Sequence, residues 1–204
     1  LVTVPDDVSL TKAALAEPIA VGWHAARLGV EALHPSEPRQ ALVIGGGAIG
    51  VAAALSLQAM DFEEVVIVER NDIRREYLAA TCGMQVAKEV QDEFPVVVDA
   101  VGFAATRAAA SAAAKPGGVV LHIGLGEDTG GLDVRRMTLQ EITFIGTYTY
   151  TAQDFRDTAS AMFEGRLGAL DWVESRPLSD GAHAFEDILA GRVAAPKIIL
   201  KPDA

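Results

Sequence analysis

The sequence predicts an α/β fold built on a doubly wound, mostly parallel sheet, and three observations predict it. Short apolar runs at Ala41–Ile44, Val65–Val68, Pro95–Asp99 and Val119–Ile123 have the length and continuity of strands buried on both faces. Helix-forming stretches alternate with these runs, a pattern that calls for right-handed crossovers between parallel neighbours. The first two runs also bracket a glycine cluster, Gly45-Gly46-Gly47-Ala48-Ile49-Gly50, that opens an alanine- and leucine-rich helical stretch.

Taken in order, Leu1–Val8 is an extended piece entering a turn at Pro5-Asp6-Asp7. Ser9 can cap a helix from Leu10 to about Ala16, which Glu17-Pro18 should interrupt, because the residue before a proline avoids the helical region. A second helix is expected over Ile19–Leu28, with Gly29 ending it. His34 to Arg39, with Pro35 and Pro38, reads as a linker into the strand at Ala41. After Glu69 a helix spans Asp72–Ala80, closed near Gly83, and a weak strand follows at Gln85–Ala87. Phe103–Ala114 is an alanine-rich helix stopped by Lys115-Pro116-Gly117-Gly118. A short helix at Val134–Leu139 precedes a β-rich stretch, Ile142–Thr149. Thr151 and Asp154 resemble a capping box, and the helix they open should bury Phe155, Ala159, Met162 and Phe163 and stop at Gly165. The tail reads as a strand (Trp172–Arg176), a helix with Phe185, Ile188 and Leu189 inward, and a strand at Lys197–Leu200.

Composition narrows the classes of function. Half of the 204 residues are hydrophobic and 22% are charged, which suits one sizeable core, or one domain with part of a second. The net charge is −11, with no basic cluster beyond Arg74-Arg75 and Arg135-Arg136. That argues against nucleic acid or an anionic membrane as partner. The single cysteine, Cys82, rules out an internal disulfide and any multi-cysteine zinc cluster within this chain. It is compatible with a reducing, cytoplasmic location. Apolar runs fall short of the ~18 residues needed to span a bilayer. The chain starts at Leu1 without a signal-like pattern, and we expect it to be a piece of a longer protein.

The stretch from 41 to 70 has the order strand, GxGxxG, helix, strand, acidic residue. Each part has a physical reason. Gly45 permits a tight turn out of the strand, Gly47 lets a pyrophosphate approach bare backbone, and Gly50 lets the helix lie close on the sheet. The amides near Ala48 and Ile49 open the helix without intrahelical carbonyl partners, at the positive end of its dipole. Glu69 follows Gly50 by nineteen residues, where a carboxylate can accept hydrogen bonds from adenosine ribose hydroxyls. Dinucleotide binding on a Rossmann-type sheet is the expectation.

Several stretches taken together resemble the medium-chain dehydrogenase/reductase family, the zinc-type alcohol and polyol dehydrogenases: AALAEPIAVGWHA (13–25), VIGGGAIG (43–50), VVDAVG (97–102), KPGGVVLHIGLG (115–126), FIGTY (144–148) and APKIILK (195–201). The resemblance implies a junction segment over 1–34, a cofactor-binding domain over 35–170, and a return segment of a largely absent catalytic domain over 171–204. It implies that Gly45, Gly47, Ala48, Ile49 and Gly50 hold the pyrophosphate, Glu69 the adenosine ribose, and that Arg74 lies beside the adenosine. Val101 and Gly102 would form the adenine side of the crevice. Backbone at Ile123, Gly124 and Leu125, with Thr147 and Tyr148, would face the nicotinamide. Glu17 before Pro18 is similar to the acid that the polyol and threonine dehydrogenases carry at or next to the catalytic zinc, and carboxylate is an acceptable zinc ligand.

The expected activity of the whole enzyme is therefore NAD-dependent oxidation of a small alcohol or polyol, with NAD favoured over NADP and zinc held mostly outside this chain. The catalytic residues lie outside it too, so these residues alone should bind cofactor without turnover. Three departures from the family stand out. The zinc-ligand half is missing, the Gln85–Pro95 connection is shorter than usual so that its crossover helix should be vestigial, and residues 171–204 would lack most of their packing partners. Two other readings fit the glycine loop: the FAD domain of a flavoprotein and a non-catalytic nucleotide-sensing module. Self-association into a homo-oligomer is expected through sheet edges at Val119–Ile123 and Phe144–Tyr148.

Overall fold

The computed structural model describes residues 1–202. Six parallel strands form the main sheet: β1 (Gln40–Ile44), β2 (Glu64–Val68), β3 (Gln85–Ala87), β4 (Phe94–Asp99), β5 (Ala114–His122) and β6 (Thr143–Gly146), in the order β3-β2-β1-β4-β5-β6. The strand order reverses direction between β1 and β4, so the turns that follow these two strands flank a crevice at the carboxyl edge. A separate parallel pair, β7 (Val173–Pro177) and β8 (Lys197–Lys201), carries the tail.

The helices are α1 (Leu10–Ala13), α2 (Ala16–Ala32), α3 (Ala48–Ala59), α4 (Asp72–Ala80), α5 (Ala104–Ala113), α6 (Val134–Leu139), α7 (Ala152–Phe163) and α8 (Gly181–Leu189). One core face joins Val43, Ile67, Val98 and Leu121 of the strands to Ile19 and Trp23 of α2, to Val51 and Leu57 of α3, and to Ala161 and Met162 of α7. The other face sets Leu42, Ile44, Val97 and Val120 against Ala110 of α5 and Met137 of α6. Between β3 and β4 there is no helix, only the connection 88–93.

The break between the first two helices falls at Ala14 and Leu15, so Glu17-Pro18 does not mark it. Pro18 sits in the first turn of α2, where its missing N–H would have had no intrahelical partner. Gly29 does not end α2 either, since a Cβ there would lie 2.7 Å from Leu121 Cδ1. That glycine serves close packing of helix on strand. At the crossing of α2 with α3, a Cβ on Gly22 would fall 2.5 Å from the Ala52–Ala53 backbone. Lys115–Gly118 is not a stop before β5 but a bulge within it. The register jumps from Phe94↔Ala114 to Val96↔Val119, and Gly117, at φ +72°, donates its N–H to the Gln140 carbonyl at 2.7 Å.

Two expected faces differ. Phe185, Ile188 and Leu189 of α8 are 67%, 45% and 86% exposed, because among the described residues no element covers that side of the helix. On α7, Phe155 and Phe163 are only half-buried, while the polar Asp154 and Thr158 are buried. Of the two strands expected to offer an edge, β5 is interior, paired with β4 and β6, and only β6 is an edge.

The burial of Asp154 is explained by its partners. Its carboxylate accepts from Arg27 Nε at 2.7 Å and from Thr151 N–H at 2.9 Å, and pairs with His24 Nδ1 at 2.8 Å. It thus closes the capping box of α7 and pins that helix to α2. Burial pushes its pKa up, but the hydrogen bonds from Arg27, Thr151 and His24 outweigh burial and hold it well below the usual carboxylate range. Its contribution is therefore complete above the unfolded value of about 3.9 and is lost as pH falls toward the folded one. Asp154→Ala should cost about 3–5 kcal/mol in urea unfolding at pH 7, and the gap from wild type should narrow progressively below about pH 4.

Candidate functional site

The turn after β1 is shaped by close backbone approaches. Gly45 sits at φ +99°, and a Cβ there would meet Val101 Cγ2 at 2.5 Å. A Cβ on Gly50 would lie 1.8 Å from the Gly45 carbonyl oxygen, so α3 can start against the strand only with glycine at this position. Gly47 is different, because nothing lies within 4 Å of its Cβ position. It faces open space and is the N-cap of α3 without a side-chain cap, leaving the first amides at Ala48 and Ile49 without intrahelical acceptors. The middle glycine, Gly46, has a role the motif reading missed: a Cβ there would press on Leu78 at 2.6 Å and on Glu69 at 3.0 Å.

Glu69 ends β2 and is 9% exposed. One carboxylate oxygen accepts the Gly46 N–H at 2.9 Å and the other the Asn71 N–H at 2.7 Å. Each oxygen retains a second lone pair. Arg74 is not a solvated helical cation. Its side chain is 19% exposed, Nη1 lies 4.0 Å from Glu69 Oε2, and Nη2 donates to the Val193 carbonyl at 3.1 Å.

Two cavities meet at this loop. The larger, ≈ 690 Å³, is lined by Gly45, Gly47, Glu69 and Arg74 with apolar walls that include Ile44, Val68 and Val101. The smaller, ≈ 340 Å³, lies between Gly47 and Arg74 on one side and Phe185, Ile188, Lys197 and Ile198 of the tail on the other. Gly47 and Arg74 line both. Lys197 is thus brought to the glycine loop across the fold, a placement sequence spacing did not reveal, although the APKIILK stretch marked the segment.

The second turn pair builds the far side of the crevice. Gly102, at φ +79°, packs on Gly124 so closely that a Cβ on it would lie 2.1 Å from the Gly124 oxygen. Asp99, fully buried, organises this corner. It accepts the N–H groups of Val101 and Gly102 at 3.1 and 2.9 Å and the Thr106 hydroxyl at 3.1 Å, and pairs with His122 Nδ1 at 3.2 Å. Its signal was the aspartate ending an otherwise apolar strand. Ile123, Gly124, Leu125, Thr147 and Tyr148 lie at the ends of β5 and β6, outside both cavities. Tyr148 is 77% exposed, and Thr147 N–H donates to the His122 carbonyl at 2.9 Å.

Glu17 is exposed on the first turn of α2, near Tyr150, whose hydroxyl pKa is pushed up by burial and by the Glu17 carboxylate. Among the described residues no three His, Cys, Asp or Glu side chains stand together as a metal-holding group. These residues therefore do not form a zinc site by themselves. No helix among them is long and apolar enough to cross a membrane.

Comparison with known proteins agrees with this architecture. The family model for zinc-binding dehydrogenases matches residues 48–164. The chain belongs to the zinc-binding dehydrogenase family. It is 31% identical to a probable diacetyl reductase of Saccharomyces cerevisiae, covering 98% of this chain and 52% of the relative. Human sorbitol dehydrogenase is 27% identical, covering 98% of this chain and 58% of the relative. Among solved structures, alcohol dehydrogenase from Thermus sp. ATN1 superposes with a TM-score of 0.83 at 21% identity, covering 98% of this chain and 60% of that one. Acetophenone reductase from Geotrichum candidum, in complex with NAD, gives 0.81 at 21% identity, covering 95% and 57%. The chain spans between about half and three-fifths of the length of these relatives.

The glycine geometry separates two substitutions. Gly47→Val should cost no more than about 1 kcal/mol, since its side chain enters open space and only the glycine preference of the N-cap is lost. Gly50→Ala should cost about 1–3 kcal/mol, because α3 must move off the Gly45 carbonyl. Thermal unfolding of the two variants checks the contrast.

Proposed function

We propose that these residues are the NAD(H)-binding portion of a zinc-dependent alcohol or polyol dehydrogenase. The observation that carries the reading is the open rim at Gly47. There the uncapped amides of α3 meet two cavities, one flanked by Glu69 and the other by Lys197. A pyrophosphate over Gly47 would be held by the amides at Ala48 and Ile49 and by the dipole of α3. Arg74 and Lys197 would supply its counter-charge from opposite walls of the smaller cavity. Glu69 would use its remaining lone pairs for the adenosine ribose hydroxyls, while the amides of Gly46 and Asn71 keep it oriented. The adenine would enter between Val68 and Val101, beside Gly102.

On the far side, backbone at Ile123, Gly124 and Leu125, with Thr147 and Tyr148, would orient the nicotinamide ring. When bound, the dinucleotide supplies the hydride acceptor at its nicotinamide carbon. This chain's part is to place that ring and fix its exposed face. Relatives named for sorbitol and butanediol support a small alcohol or polyol as the substrate class. Glu17 would stand near the zinc, whose other ligands must come from residues outside those described. One half-buried free thiol, Cys82, suits a cytoplasmic protein, and the free edge of β6 would serve self-association.

NAD is preferred to NADP in this reading, because the Glu69 carboxylate would repel a 2′-phosphate despite Arg70 and Arg74 on the same rim. Calorimetric titration with NAD, NADP and FAD tests it. NAD should bind most tightly, Gly47→Val should abolish binding, and Lys197→Ala should weaken it about tenfold or more, as loss of a charge-assisted hydrogen bond does. Glu69→Ala should weaken NAD while narrowing its margin over NADP. Preferential binding of FAD, or no binding of any nucleotide, would contradict the assignment.

A further inference from the structure

Arg107, in the second turn of α5, is 8% exposed and belongs to no ion pair among the described residues. Every nitrogen of its guanidinium donates instead to backbone carbonyls. Nε donates to Gly130 at 2.5 Å, Nη2 to Thr129 at 2.5 Å, and Nη1 to both Gly102 at 2.8 Å and Glu127 at 3.0 Å. A buried cation without an anion is costly unless its hydrogen bonds are all made. Here four of its five donors are satisfied by the two segments that form one side of the crevice, the turn at Gly102 and the loop from Glu127 to Gly130.

The surroundings leave that loop little freedom. Glu127 N–H donates to the Gly102 carbonyl at 2.9 Å and Gly126 N–H to the Val101 carbonyl at 3.1 Å. The Glu127 carboxylate in turn accepts the Ala104 N–H at 2.7 Å, at the start of α5. On the outer side Gly131, at φ +82°, lies so close to α5 that a Cβ would fall 1.9 Å from the Ala104 oxygen. The backbone of 123–125 runs directly into this clamped loop. Leu125, its last residue, is 79% exposed, so little side-chain packing holds it in place.

We propose that Arg107 is a positioning residue for the nicotinamide half of the dinucleotide: its four carbonyl contacts lock the loop 126–130 to the Gly102 turn and so hold the backbone of Ile123, Gly124 and Leu125 toward the ring. This rests on the dinucleotide reading of the crevice. It assigns Arg107 no contact with the cofactor. The five-donor planar fork suits four diverging carbonyls in a way that a single ammonium does not.

The test compares NADH with ADP-ribose, which shares the adenosine, both phosphates and one further ribose but lacks nicotinamide. Binding is measured calorimetrically, with NADH fluorescence as a second signal, on the chain and on Arg107→Met, Arg107→Lys and Gly131→Ala. Wild type should bind NADH more tightly than ADP-ribose. Arg107→Met should weaken NADH about tenfold, with loss of its fluorescence enhancement, while ADP-ribose affinity stays within about twofold. Arg107→Lys should restore part of the NADH affinity. Gly131→Ala pushes the same loop from outside without altering Arg107 and should reproduce the split, which carries the test if Arg107→Met does not fold. Parallel losses for both ligands, or equal wild-type affinity for the two, would overturn the role of Arg107. Failure of wild type to bind ADP-ribose and NADH at all would instead overturn the dinucleotide reading, and this inference with it.

Discussion

Backbone pressed against backbone at the carboxyl edge of the sheet is the constraint on which the rest of the structure depends. Helix α3 can begin where it does only because residue 50 has no Cβ within reach of the Gly45 carbonyl. The next turn pair meets the same way, Gly102 against Gly124. These approaches exclude side chains at Gly45, Gly50, Gly102 and Gly124, so backbone meets backbone there. Dipoles fixed by rigid backbone need little reorganisation when a charged ligand arrives, which is the advantage of building such a site from turns. The absence of a contact at Gly47 is as informative as the clashes at its neighbours, because a glycine with empty space around it is not explained by packing.

Besides Glu69, three buried charged groups are satisfied in three different ways. Asp154 is met by an arginine, a histidine and the cap of its own helix, and joins α2 to α7. Asp99 collects two turn amides, a hydroxyl and His122. Arg107 is surrounded by carbonyls alone. Each group ties together segments that are distant in sequence, so a low-dielectric interior in which unpaired charge is expensive becomes a means of fixing loop position. The tail is held by the same kind of contact, through Asn71 to the Gly191 carbonyl and Arg74 to the Val193 carbonyl.

Much of the carboxyl edge of the sheet was legible in the residue order. Strand, glycine loop, helix and terminal acid are local or nearly so, and their spacing reflects how far a helix must run to return the chain to the sheet. The bounds of α4, β3 and α6 follow from turn and cap residues for the same reason. Arg107 was not legible, because its acceptors are main-chain atoms, three of them on residues twenty or more positions away, and a carbonyl has no identity in a sequence. The α8 face was misread for a related reason. Periodicity identifies Phe185, Ile188 and Leu189 as one apolar face, but it says nothing about whether another element covers it.

The sequence by itself determined the fold class, the glycine loop and the acid that ends β2, because each depends on short-range sterics and on an apolar period. Only the tertiary structure decided which glycines exist for close contact and which for open space, and that Pro18 and Gly29 lie within one continuous helix. It alone brought Lys197 and Arg74 to the loop from opposite sides. Those outcomes depend on crossings of backbone and on charges finding partners across the sheet, and no local rule encodes such distances.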